Sequence, residues 1–286
     1  MNTRIAYRFA LVALTLLLNA THSVLASETA WQEVAPGAQL RLISSNNVSE
    51  QGNVEAALQI RMAPGLKTYW RVPGETGIPL SANWQGSKNV ETGTFKWPFP
   101  KRVLDYGVMD YVLEGDITVP LNIALTDQNS NALLVAELNL GICSDICVPV
   151  RWNGELDINL NNPSSSNAFR IRAALAQVPV LDQRENAPFQ QVGYDAENNQ
   201  LILLQAPDQV ANLSLIVDLP KTTLLFDMPH SGPESRVMTV ATLTDFDLST
   251  LVDQEIRLTY DSADGPFTKL VIVEALHRVD GASFFE

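Results

Sequence analysis

Apolar positions recur along the chain in short alternating or continuous runs, each closed by Gly, Pro, Asn or Asp. Such runs fall at 39–43, 54–62, 68–72, 94–97, 117–125, 133–142, 147–152 and 155–160. They read as strands, because every second residue of a strand lines the same face. Their spacing suggests an antiparallel sandwich. The segment Asn161-Asn162-Pro163-Ser164-Ser165-Ser166 breaks the pattern and reads as a linker. A helix is expected over 167–177, with Ser166 as its N-cap and Pro179 just past its end. A second β series follows at 200–205, 213–219, 222–226, 236–243, 255–260 and 267–275, with 195–199 as a hairpin turn. The pattern predicts an all-β protein of two β-sandwich domains, 27–160 and 180–286, joined by a short helix-containing linker at 161–179. No heptad, short repeat or low-complexity tract interrupts it.

The first 26 residues follow a different pattern. Arg4 and Arg8 precede an unbroken apolar run over 9–18, and Val24-Leu25-Ala26 offers a small-residue cleavage site. This reads as a secretory signal peptide with Ser27 as the mature N-terminus. The run is shorter than the roughly 20 residues that a membrane helix needs. No later run approaches that length, so an exported, periplasmic protein that is not an integral membrane protein is expected. Two domains also suit a chain of this length.

The chain has 19 Lys and Arg against 32 Asp and Glu, a formal charge of −13. Residues 1–26 hold two arginines and no acidic residue, so without them the charge is −15. That excess argues against nucleic acid and anionic membrane surfaces as partners.

Both cysteines of the chain lie in Gly141-Ile142-Cys143-Ser144-Asp145-Ile146-Cys147-Val148-Pro149. Four residues of extended strand cover ~13 Å, whereas a disulfide needs Cα atoms roughly 4.4–6.8 Å apart. If the two cysteines bond, the chain must reverse between them, and Ser144-Asp145-Ile146 becomes a three-residue hairpin loop. A helix would also bring these positions together, but Gly141, Pro149 and the β-branched neighbours favour the hairpin. Counting by twos places Leu138, Leu140 and Ile142 on one face of the first arm, and Val148, Val150 and Trp152 on one face of the second. Both cysteines then fall on the opposite, more polar face. A cross-strand bond there is somewhat strained, and strained or exposed disulfides are the easily reduced ones.

Two readings of the pair compete. Exported proteins use disulfides as staples, but closing a loop of about five residues contributes only ~2 kcal/mol. A chain of this size does not need so weak a staple. The alternative is a redox pair. Other chemistry finds less support. Beyond the leader the histidines are His230 and His277, both far from the cysteines. Structural zinc needs about four ligands. Copper(I) on Cys143, Cys147 and Met109 suits soft ligands, without a methionine-rich run to support it. Asp145 would disfavour a nearby thiolate.

The segment from Tyr69 to Gly77, Tyr-Trp-Arg-Val-Pro-Gly-Glu-Thr-Gly, resembles a block of the periplasmic N-terminal domain of DsbD-type and ScsB-type thiol:disulfide interchange proteins. Trp84-Gln85-Gly86-Ser87, Trp97-Pro98-Phe99-Pro100, Tyr106-Gly107, Val119-Pro120-Leu121 and the 143–149 segment are similar to further blocks, in the family's order. The likeness covers about 40–155. A weaker likeness over 165–286 points to the second β domain of the ScsB-type branch.

The resemblance implies an immunoglobulin-like first domain with protein-disulfide reductase-like exchange activity and no cofactor. Cys143 and Cys147 would take electrons from a membrane-embedded thiol donor and pass them to periplasmic thioredoxin-fold proteins. Cys147 would form the mixed disulfide. Asp105, Tyr106 and Met109 would belong to a loop that caps the pair, with Tyr69, Asp145 and Pro149 in support. The cysteine spacer is shorter than in the DsbD branch, and the chain shows no thioredoxin-type Cys-x-x-Cys. Its electrons are therefore expected from a separate protein. A non-redox binding module with a structural disulfide, and a copper-stress role, are the other readings.

Overall fold

The structure, a computed structural model, describes residues 27–105, 107–206, 214–220, 224–231 and 237–276. Residues 1–26, Tyr106 and His277 lie outside these, as do parts of the strands expected at 213–219, 222–226 and 236–243.

Two sheets form from the strands that precede residue 160. The first has the order β1 (Gln32–Ala35), β2 (Ala38–Val48), β3 (Asn53–Met62), β9 (Ile117–Leu125) and β6 (Val90–Phe95). The second has the order β11 (Cys147–Ile158), β10 (Ala132–Cys143), β4 (Lys67–Gly74), β8 (Val108–Glu114) and β7 (Lys101–Asp105), with β5 (Ser81–Asn83) also paired to β10. All these pairings are antiparallel. The two sheets share one core. Leu40, Leu42, Leu58 and Ile123 meet Leu134, Leu138, Leu140, Ile142 and Trp152 across it. Burying a large apolar side chain of this kind contributes ~1.5–3 kcal/mol each.

The hairpin of β7 and β8 was not legible from alternation. Five consecutive residues of β8, Met109 to Leu113, are buried. A strand covered on both faces loses the period-two signal, and Asp110 in its middle reads as loop. In the 105–109 stretch, expected as a loop, Asp105 ends β7 and pairs with Val108, and Val108 and Met109 begin β8.

The helix runs Ser165–Leu175, here α1, two residues earlier than expected. Ser164 rather than Ser166 is the N-cap, its side chain accepting from the Asn167 amide; with three serines in a row, the tertiary position of the chain decides which one caps. Ile171 packs on Ile43 and Ala57 of the first sheet, and Asn167 Nδ2 donates to the Ser44 carbonyl at 3.1 Å. The expected linker segment thus carries a helix seated on the first sandwich.

The remaining strands form one sheet in the order β15 (Ser214–Asp218), β18 (Glu255–Ser262), β19 (Gly265–Ala275), β13 (Phe189–Asp195), β14 (Gln200–Gln205), β17 (Val237–Val240) and β16 (His230–Ser231), with β12 (Val180–Leu181) added to β19. Leu215 and Val217 from one end share a core with Met238 and Val240 from the other, so the sheet curls around its own interior. β12 and β13 both join β19 in parallel. The 195–199 turn closes the β13–β14 hairpin, with Asp195 Oδ1 accepting from the Glu197 amide.

A further cluster joins this sheet to the first sandwich: Trp70, Val72, Met109 and Tyr111 pack against Ile216, with Leu225 and Met228 beside them.

Candidate functional site: the cysteine hairpin

β10 and β11 pair in unbroken register from Ala132↔Ile158 to Cys143↔Cys147, leaving Ser144, Asp145 and Ile146 as the turn. Leu138, Leu140, Ile142, Val150 and Trp152 face the sandwich core. Cys143 and Cys147 face the other way and are joined by a disulfide, with Cα atoms 4.0 Å apart.

That outward face is more apolar around the sulfurs than the sequence suggested. Cys143 is fully buried with Tyr69 and Val112, and Val103 and Cys147 complete the cluster. The asymmetry follows from sheet order. β10 is flanked on one side by β4, where Lys67 lies opposite Cys143, whereas β11 is the edge of the sheet. Cys147 is therefore only partly buried, and the turn residues Ser144, Asp145 and Ile146 are exposed.

Tyr69 brings a polar group to the sulfurs. Its hydroxyl lies 2.9 Å from Cys147 Sγ. A disulfide sulfur carries no hydrogen, so the phenol is the donor. Burial first, then the Asp110 carboxylate, raise the Tyr69 pKa above its ordinary value of 10.0, against the smaller opposing effect of Thr76. The hydroxyl therefore keeps its proton at neutral pH.

The loop after β4 holds this tyrosine in place. A Cβ on Gly77 would stand 2.3 Å from Tyr69 Cδ1, so only glycine lets the backbone pass over the ring. Gly74 has φ +94°, and a Cβ there would stand 2.4 Å from the Met109 carbonyl oxygen. Glu75 Oε1 accepts from the Met109 amide at 2.7 Å, and Asp110 accepts from the Thr76 amide at 3.1 Å and from its hydroxyl at 2.6 Å. These bonds tie the Pro73–Gly77 loop to β8. The roles of Glu75, Thr76, Asp110, Val103 and Val112 were not read from the sequence, although the first two sit inside the Tyr-Trp-Arg block.

The other expected site residues are scattered. Asp105 ends β7 and is exposed. Gly107 turns the hairpin with φ +82°, and Tyr106 lies outside the described residues. Met109 points to the opposite face of β8 from Val112, into the cluster with Trp70 and Ile216. The structure does not bring it to the sulfurs, which removes both the shielding and the copper-ligand roles expected of its side chain. Alternation is the reason: Met109 and Tyr111 share one face of β8, Asp110 and Val112 the other. Asp145 is at the exposed turn, and Pro149 is exposed opposite Gly141. Among the described residues no group of three or more His, Cys, Asp or Glu is placed to hold a metal ion.

With the cysteine hairpin, its tyrosine and the supporting loop in place, likeness to known proteins becomes informative. Residues 39–154 match the family described as thiol:disulfide interchange protein DsbD, N-terminal. The match contains every element of the site, from Tyr69 to Pro149. The crystal structure of the N-terminal periplasmic domain of ScsB from Proteus mirabilis is similar to the whole arrangement. The TM-score is 0.69 at 22% identity, over 87% of this chain and 99% of that one. At that identity the likeness carries the fold, including the sheet beyond the DsbD-type segment. No curated protein sequence matches the chain. No described helix is long and apolar enough to cross a membrane.

Proposed function

We propose that this chain is a periplasmic thiol:disulfide exchange module in which Cys143 and Cys147 pass two electrons to oxidised thioredoxin-fold proteins. The observation that carries this reading is the unequal exposure of the two sulfurs within a segment of DsbD type. Reduced, Cys147 is the sulfur a partner can reach. Its thiolate attacks one sulfur of the partner disulfide, a mixed disulfide forms, and the partner's other sulfur leaves as a thiolate. Cys143 then attacks Cys147 Sγ, the 143–147 bond closes, and the partner departs as a dithiol. A membrane-embedded dithiol returns two electrons and resets the pair. Tyr69 acts beside the sulfurs as a positioning residue, its proton directed at Cys147. Val103 and Val112 cover Cys143, and Asp105 and Tyr106 keep the capping role that the resemblance implies. We assign the exchange to a unit of residues 27–160, followed by the linker 161–179 and a second β unit at 180–286. The exported location rests on the leader-like N-terminus and on the periplasmic relative.

Trapping tests the proposal. Cys143→Ser leaves Cys147 without a resolving thiol, so covalent adducts with periplasmic thioredoxin-fold proteins should accumulate on non-reducing gels. Cys147→Ser should trap far less. Failure of both single variants to trap a partner in cells would return the disulfide to a structural role.

A further inference from the structure

Away from the cysteines, the junction between the first sandwich and the curled sheet holds a cleft of about 320 Å³. Its charge is unbalanced. Arg71 Nη2 bonds Asp218 Oδ1 at 3.0 Å, and Arg257 Nη1 reaches Asp218 Oδ2 at 3.4 Å. Both guanidiniums line the cleft, and among the described residues Asp218 is the one carboxylate paired with either. One buried carboxylate between two cations leaves a positive charge over. Burial holds Arg71 down to about 10, with Arg257 adding to the effect and Asp218 opposing it. In a chain of formal charge −13, this is a local reversal of sign.

The hydrogen-bonding capacity is also unspent. Among the described residues Arg71 Nε and the Thr268 hydroxyl are buried without a hydrogen-bond partner, and leaving a buried polar group unpaired is destabilising. Small rearrangement toward a ligand would satisfy them. The cleft is also lined by Trp97 and Phe95, with ring centroids 6.1 Å apart, and by Leu181 and Leu270, both exposed to solvent.

We propose that this cleft binds a small organic monocarboxylate bearing an aromatic or branched apolar group. The carboxylate would take the surplus charge between Arg71 and Arg257, for which a guanidinium fork is well matched. The apolar group would lie between Trp97 and Leu270. A volume near the small end of known ligand sites suits a ligand the size of one amino acid. The inference is independent of the cysteine chemistry and stands or falls without it.

Calorimetric titration of the full chain with N-acetyl-phenylalanine and with its uncharged amide tests this directly. The acid should bind about tenfold or more tighter than the amide, a preference of ~1.4 kcal/mol, and added salt should weaken it. Arg257→Gln should erase the preference. Leu270→Asp, at an exposed position opposite Arg257 in the β18–β19 pair, should weaken the acid by a similar factor, by repulsion and by pairing with Arg257. Equal affinity for acid and amide, no heat from either, or an unchanged acid affinity in Leu270→Asp would each overturn the proposal.

Discussion

Two buried tyrosines, one in the first sandwich and one in the curled sheet, end in the same kind of contact with acceptors of different chemistry. Tyr69 in the first sandwich directs its hydroxyl to Cys147 Sγ. Tyr260 in the curled sheet donates to Asp182 Oδ2. The second acceptor is a fixed charge. Arg184 bonds the same carboxylate at 2.8 Å and reaches on to Asp264 at 3.0 Å, while its guanidinium lies over the Phe267 ring. Both Asp182 carboxylate oxygens are bonded, and the group clips the chain entering the curled sheet to β18 and β19. The first acceptor changes with its redox state: a weak neutral acceptor as a disulfide, a strong anionic one as a thiolate. A hydrogen bond whose worth depends on redox state biases the equilibrium between states, whereas one whose worth is constant contributes only to folding.

The sharpest test of where the first region ends uses Met109. Its side chain is buried on the far face of β8 from the sulfurs. Met109→Ala should therefore destabilise the protein by about 2–5 kcal/mol, as other core truncations do, measured by denaturant unfolding. The reduced cysteine pair should react with glutathione disulfide at the unchanged rate. Faster reaction in the folded variant would place Met109 with the cap after all and blur the division between the two faces.

The second region makes a prediction with a pH signature. Hydrogen bonds from Arg184 first, and then from Tyr260, hold the Asp182 pKa down to about 2 against the opposing effect of burial. A folded-state pKa below the unfolded value of 3.8 means that this stabilisation is complete above pH 4 and is lost as pH falls toward 2. Asp182→Asn should cost on the order of 2 kcal/mol at neutral pH. The stability curves of variant and parent should converge in acid. A gap that persists undiminished at low pH would mean that the cost is one of packing, not of charge.

Reading the sequence reached different depths in these two regions. The cysteine hairpin was legible because alternation on both arms and a three-residue turn leave a single register, and Cys143↔Cys147 follows from it. The strands of the curled sheet were visible as runs of Leu, Ile and Val, but their parallel additions to β19 were not. Such pairing depends on how the sheet closes, and no local signal encodes closure. The β7–β8 hairpin was missed because β8 is covered on both faces, and Met109 was misassigned for the same reason. Pro73-Gly74-Glu75-Thr76-Gly77 was visible as a block. Its purpose, holding Tyr69 under a backbone that only glycine permits, needed three dimensions.

The smallest effect bears most directly on the comparison. Tyr69→Phe keeps the ring under Gly77 and removes only the hydroxyl. In the oxidised protein the lost bond is to a neutral disulfide sulfur, so stability should change by less than ~1 kcal/mol. In the reduced protein the same hydroxyl faces a thiolate, and bonds to charged acceptors are worth roughly twice as much. Losing the donor disfavours the charged form. In the Cys143→Ser background, where Cys147 is the single thiol, Tyr69→Phe should move Cys147 toward the neutral thiol, read from thiolate absorbance at neutral pH. Attack on a small disulfide at neutral pH should slow, because less thiolate is present. By contrast Tyr260→Phe should leave the Cys147 titration where it was. If Tyr69→Phe does the same, the two tyrosines are alike after all, and Tyr69 is a packing residue that happens to end at a sulfur.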